Sequence, residues 1–88
     1  LVLDEAHATG VFGQNGGGLA DEMGVLPEID ILVGTLGKSL ASMGAYVLAN
    51  NSSIIDFLTN KAGEYIYSTF LSPSQAGAAF EAIKLIKN

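Results

Sequence analysis

Four side chains able to do chemistry stand where short apolar runs end. Asp4 closes the run Leu1-Val2-Leu3, His7 follows three residues later, and Thr35 and Lys38 follow the run Ile29 to Val33. Open α/β sheets bind ligands just past the carboxyl ends of their strands, so these positions suit a bound group. A carboxylate there can hold a protonated ring nitrogen by a charge-assisted hydrogen bond, and a lysine can form a Schiff base with an aldehyde. Pyridoxal 5'-phosphate (PLP) needs both. Its ring is an electron sink only while the nitrogen stays protonated, and a neighbouring carboxylate favours that form. Lys38 must lose its charge to attack, which desolvation in an apolar loop would favour. Thr35, three residues before Lys38, can offer a hydroxyl to a phosphate. Taken singly, each residue is ordinary: a loop acid, a hydrogen-bonded imidazole, a solvated amine. The expectation rests on the set.

Two strings spell nucleotide motifs and fail on spacing. Leu3-Asp4-Glu5-Ala6-His7 matches the acidic box of helicases, and Gly37-Lys38-Ser39 matches the end of a P-loop. A P-loop needs its first glycine five positions before the second so that successive N–H groups wrap the phosphates. Leu32 occupies that position, and Gly34 is only three before Gly37. The order is also reversed, since the acidic box comes first. With four Lys, no Arg and nine carboxylates, the formal charge is -5, and no cation cluster is available to replace phosphate counterions. A nucleic-acid partner is not expected. The absence of Cys removes disulfides and thiolate metal sites, and no metal is expected.

Around these residues the chain reads as an α/β layer structure. Hydrophobic residues make up 49% and charged residues 15%, against roughly 25% charged in an average domain, so the chain should fold but has apolar surface to spare. Leu1 to Leu3 and Ile29 to Val33 read as buried strands. Ala45 to Ala49 reads as a third, antiparallel to its predecessor because the link is too short for a helical crossover. Gly10 to Gly18 is a loop, and its glycines are given no chemical role. Leu19 to Met23 reads as a short helix stopped by Gly24. Ser52 to Asn60 reads as a helix capped by Asn51 or Ser52, with Ile54, Ile55 and Leu58 on one side. Ser72-Pro73-Ser74-Gln75 opens another with a capping box and Pro at its first position, and Ala76, Ala79, Phe80, Ile83 and Ile86 form its apolar stripe. The longest uncharged run, Ser39 to Ile55, holds Asn50, Asn51, Ser52 and Ser53, a poor membrane span. No signal peptide is read, and the expected location is the cytoplasm.

Three strings in order, Asp4-Glu5-Ala6-His7-Ala8-Thr9-Gly10, Gly34-Thr35-Leu36-Gly37-Lys38 and Ile66-Tyr67-Ser68-Thr69, resemble the α-oxoamine synthases, which are fold-type I PLP enzymes. The resemblance covers essentially all 88 residues. It implies part of the large domain of an aspartate aminotransferase-like fold, mostly parallel sheet with one antiparallel strand. Family members are several times longer, so residues 1–88 are expected to be a partial large domain truncated at both ends. By position, Asp4 matches the pyridinium-binding Asp, His7 the His at the cofactor's phenolic oxygen, Thr35 a phosphate contact and Lys38 the Schiff-base Lys. Ser68 and Thr69 match the segment that reaches the phosphate of a neighbouring subunit, which implies a homodimer. The family's ring-stacking His would lie upstream and its carboxylate-binding Arg downstream. The implied reaction joins an amino acid to an acyl-CoA thioester, or one on an acyl carrier protein, with decarboxylation. Ala8-Thr9-Gly10 and Tyr65 to Thr69 look closest to the branch that joins L-alanine to a pimeloyl thioester in biotin synthesis. The branch using glycine and acetyl-CoA is next.

Overall fold

The computed structural model describes residues 1–87 and is built on a three-stranded sheet ordered β1-β2-β3. β1 (Val2–Asp4) runs parallel to β2 (Ile31–Thr35), with Asp4 opposite Val33. β3 (Ala45–Ala49) returns antiparallel to β2, with Thr35 opposite Ala45. This is the mixed pairing expected from the short link between them. β2 lies two residues later than the sequence suggests. Leu26–Glu28 form a 3-10 turn started by Pro27, with Ile29 as its cap, which delays the strand. Pairing to Tyr46 and Ala45 then holds Gly34 and Thr35 inside it.

Alternation across the pleat divides the sheet into two unlike faces. Leu3, Leu32, Gly34 and Tyr46 share one face, where Leu32 joins Ala20 and Ile29 in a buried cluster against which Leu3, Val25 and Tyr46 pack. Gly34 carries no side chain because the Tyr46 ring lies across it; a Cβ there would overlap the ring. Asp4, Val33, Thr35 and Val47 share the other face. The outer strands are not buried as expected: Val2 is 63% exposed and Leu48 56%, since nothing among the described residues covers them.

The helices start and stop for local reasons. α1 (Leu19–Glu22) begins where the buried carboxylate of Glu5 accepts hydrogen bonds from Leu19 N at 2.9 Å and Ala20 N at 2.8 Å. It ends at Gly24, whose φ of +70° allows Val25 N to reach Ala20 O and Gly24 N to reach Asp21 O. α2 (Ser52–Lys61) starts at Asn51, whose side chain accepts from Ser53 N. A short α3 (Gly63–Ile66), not apparent in the sequence, follows it directly. α4 (Pro73–Lys87) opens on the expected reciprocal pair, Gln75 N to Ser72 Oγ at 3.3 Å and Ser72 N to Gln75 Oε1 at 3.4 Å. Its stripe is covered less than expected. Ala79 is buried and Ile86 lies against Gly10 and Gly16, but Phe80 is 60% exposed. Among the described residues no helix is long and apolar enough to cross a membrane.

Replacing Glu5 by Ala in the whole protein leaves two amide donors without a charged partner and is expected to cost about 3 kcal/mol in urea denaturation. A loss below about 1 kcal/mol would mean that water substitutes for the carboxylate.

Candidate functional site

Parallel pairing of β1 with β2 puts Asp4 and Thr35 on the same face of the sheet, at the carboxyl ends of adjacent strands. Strand spacing and rise place their Cα atoms roughly 8 Å apart. Asp4 Oδ1 accepts from Ala6 N at 2.9 Å, which bends the chain out of β1 and leaves Oδ2 to accept from a ligand. The turn that follows is gathered on one atom. Glu5 O accepts from Ala8 N, Thr9 N and Thr9 Oγ1 at 2.9 to 3.0 Å, and His7 stands exposed within the turn.

Thr35 is the last residue of β2 rather than a loop residue, and its hydroxyl is already engaged. Oγ1 donates to Gly44 O and accepts from Gly37 N, both at 3.1 Å. The group expected to serve a phosphate therefore closes the base of the lysine loop, and its proton must leave Gly44 O before it can donate to a ligand. From there Leu36 N bonds to Gly44 O and Ser42 N to Leu36 O, each at 2.8 Å, while Leu40 is buried as the loop's apolar anchor. Ala41 adopts φ 52°, the left-handed region that a Cβ disfavours. Lys38 projects from this rigid loop and is exposed. The apolar surroundings expected to desolvate its amine are not supplied by the described residues.

Ser68 and Thr69 lie elsewhere. They follow α3, not a strand, and line an open groove of about 860 Å³ between β3 and the α2–α3 pair. Val33 also lines that groove, but Asp4, His7, Thr35 and Lys38 do not. Ser68 Oγ is turned inward to Glu64 O, and Tyr65 and Phe70 meet edge to face at the groove's rim, 5.7 Å apart. The structure thus places Asp4, Thr35 and the His7 and Lys38 loops at one sheet edge and sets Ser68 and Thr69 apart.

Three residues that shape the site carry no sequence signal of their own. Glu5 reads as the second letter of a box, Ser39 as the end of a failed P-loop and Tyr46 as a strand aromatic, yet Tyr46 Oη also meets Thr9 Oγ1 at 3.5 Å. Their partners lie 14 to 37 residues away in sequence, beyond any local pattern. The donor set fits PLP: a carboxylate with one free oxygen, an exposed imidazole, an exposed amine and a hydroxyl at the end of a strand. Among the described residues no group of three or more His, Cys, Asp or Glu could hold a metal ion.

Known proteins resemble this chain along essentially its whole length. The 8-amino-7-oxononanoate synthase of Geobacter metallireducens is 49% identical over 98% of this chain, which spans 22% of that protein. Serine palmitoyltransferase of Bacteroides thetaiotaomicron is 44% identical over the whole chain, again 22% of its own length. The structure of serine palmitoyltransferase from S. paucimobilis with bound PLP-myriocin aldimine matches at a TM-score of 0.87 and 31% identity, over 98% of this chain and 22% of that one. The chain spans less than a quarter of the curated relatives it matches, and its fold is that of part of a fold-type I enzyme. The profile of aminotransferase classes I and II matches residues 1–87, and the chain belongs to that family.

Proposed function

We propose that this chain is the cofactor-binding part of the large domain of a PLP-dependent α-oxoamine synthase, which joins an amino acid to an acyl thioester with loss of carbon dioxide. One observation carries the reading: adjacent parallel strands present Asp4 and Thr35 on one face, and the loop after Thr35 carries Lys38. The finer reading is 8-amino-7-oxononanoate synthase, using L-alanine and a pimeloyl thioester, supported by the relative of that name at 49% identity. Serine palmitoyltransferase, using serine and a palmitoyl thioester, is the second reading, supported by the relative at 44% identity.

PLP, when bound, supplies the electron sink for a carbanion at the amino acid's Cα. Asp4, with Oδ1 engaged by Ala6 N, would hold the ring N–H through its other oxygen and keep that nitrogen protonated. His7 donates to the phenolic oxygen from its exposed turn. Lys38 would hold the cofactor's aldehyde covalently with loss of water, and once a substrate amine has taken its place its Nζ would accept the Cα proton as general base, a role worth about 10²- to 10⁴-fold. Thr35 donates to the phosphate once its proton leaves Gly44 O. Ser68 and Thr69 serve the phosphate of a second copy in a homodimer. The neighbouring Tyr67 and Phe70, 87% and 76% exposed, support a subunit contact there. The desolvation of Lys38 comes from chain outside these residues, and the reaction runs in the cytoplasm.

In the whole protein, Lys38→Ala is expected to abolish the visible, borohydride-reducible absorption and to lower turnover by at least about 10²-fold. Persistence of both would refute the assignment. Thr35→Val should weaken affinity for PLP by about 3- to 10-fold more than it weakens affinity for unphosphorylated pyridoxal, as equilibrium dialysis would measure. Feeding alanine with pimeloyl-CoA, serine with palmitoyl-CoA, or glycine with acetyl-CoA separates the substrate readings. The first pair should give the highest kcat/KM.

A further inference from the structure

We infer that Ser39 is a positioning residue, a latch that holds the Lys38 loop in register with the Asp4–His7 turn. The inference rests on the proposed role of Lys38 and deepens it. The Lys38 amine is exposed and makes no hydrogen bond or ion pair among the described residues, so only the loop backbone places it. Most ties of that loop are internal. Leu36 N to Gly44 O, Ser42 N to Leu36 O, Ala41 N to Lys38 O and Gly37 N to Thr35 Oγ1 hold the loop to itself and to β2. None of these ties reaches the Asp4–His7 turn. Two of its hydroxyls reach outward: Ser42 Oγ donates to Gln75 O in α4, and Ser39 Oγ donates to the carbonyl of Thr9.

The second contact points to function because of what lies at its other end. Thr9 is bound through both N and Oγ1 to Glu5 O, and Glu5 directly follows Asp4. Asp4, Glu5, Thr9, Ser39 and Lys38 thus form one short chain of covalent and hydrogen bonds that joins the carboxylate to the amine across the open edge of the sheet. Two backbone features favour that path. Gly10 leaves room for Ser39, since a Cβ there would collide with its Oγ. Ala41 holds a left-handed φ of 52° three residues beyond Lys38, a strained conformation of the kind that persists where its surroundings enforce it.

The test uses the whole protein with PLP, comparing the wild type with Ser39→Ala and Ser39→Thr. Three measurements are needed: the dissociation constant of PLP, the pH midpoint of the visible band of the Lys38-bound cofactor, and thermal stability. Ser39→Ala is expected to weaken PLP affinity by about 3- to 10-fold and to move the pH midpoint, with Ser39→Thr restoring both because it keeps the donor. If Ser39→Ala lowers thermal stability while affinity and midpoint stay at the wild-type values, the hydroxyl is only a structural tie and the inference is overturned. It is overturned equally if none of the three measurements moves. A wild-type protein without a borohydride-reducible visible band would instead overturn the role of Lys38, and the latch with it.

Discussion

A carboxylate only 2% exposed has to be satisfied where it lies, and Glu5 is satisfied by the first two amides of α1. Two charge-assisted hydrogen bonds in a site closed to water hold the glycine loop's exit against the end of β1. The same residue's amide bonds to Val33 O, continuing the pairing of β1 with β2, and its carbonyl collects the turn that carries His7. Three functions of one residue therefore fix strand, turn and helix relative to each other. Asp4 and His7 are aimed as a by-product. If that carboxylate were removed, the parallel pair would lose its lateral brace, and the site-bearing turn would lose its anchor at the same time.

The sheet's asymmetry explains why the site is open. The face bearing Leu3, Leu32 and Tyr46 completes its core with Ala20, Val25 and Ile29 from the same chain. The opposite face presents Asp4, Val33, Thr35 and Val47, with α2 and α3 standing over only its β3 side. Ligand chemistry is left to the face that the chain does not finish. The interlocked hydroxyl of Thr35 and buried Leu40 make the lysine loop rigid before anything binds, so a ligand need not order it.

Much of this is legible in the sequence wherever the signal is local. The capping box at Ser72 and Gln75, the stop at Gly24, the cap at Asn51 and the antiparallel return into β3 depend on neighbours a few residues away, and all four are present in the structure. The order and spacing of Asp4, His7, Thr35 and Lys38 locate the sheet edge that carries them. What fails to show is non-local or belongs to surfaces with nothing over them. The two-residue shift of β2 combines the 3-10 turn at Leu26–Glu28, which delays its start, with pairing to Tyr46 and Ala45, which extends its end, and α3 forms where the sequence offers a glycine and aromatics. The exposure of Val2, Leu48 and Phe80 reflects what stands beside the chain, which no hydrophobic pattern encodes. Family likeness assigns Ser68 and Thr69 to the phosphate of a neighbouring subunit, and in this chain they line a groove apart from Asp4, His7, Thr35 and Lys38.

β1 and β3 reach β2 over very different lengths of chain. β2, the lysine loop and β3 are contiguous, so their antiparallel ladder needs only a short closure and can form early. Val2 meets Ile31 only after the intervening glycine loop, α1 and the 3-10 turn have been gathered in, a non-local step that pays its closure entropy first. Lys38 is thus placed by local contacts and Asp4 by a long-range one, so a ligand that needs both groups binds molecules in which β1 has docked.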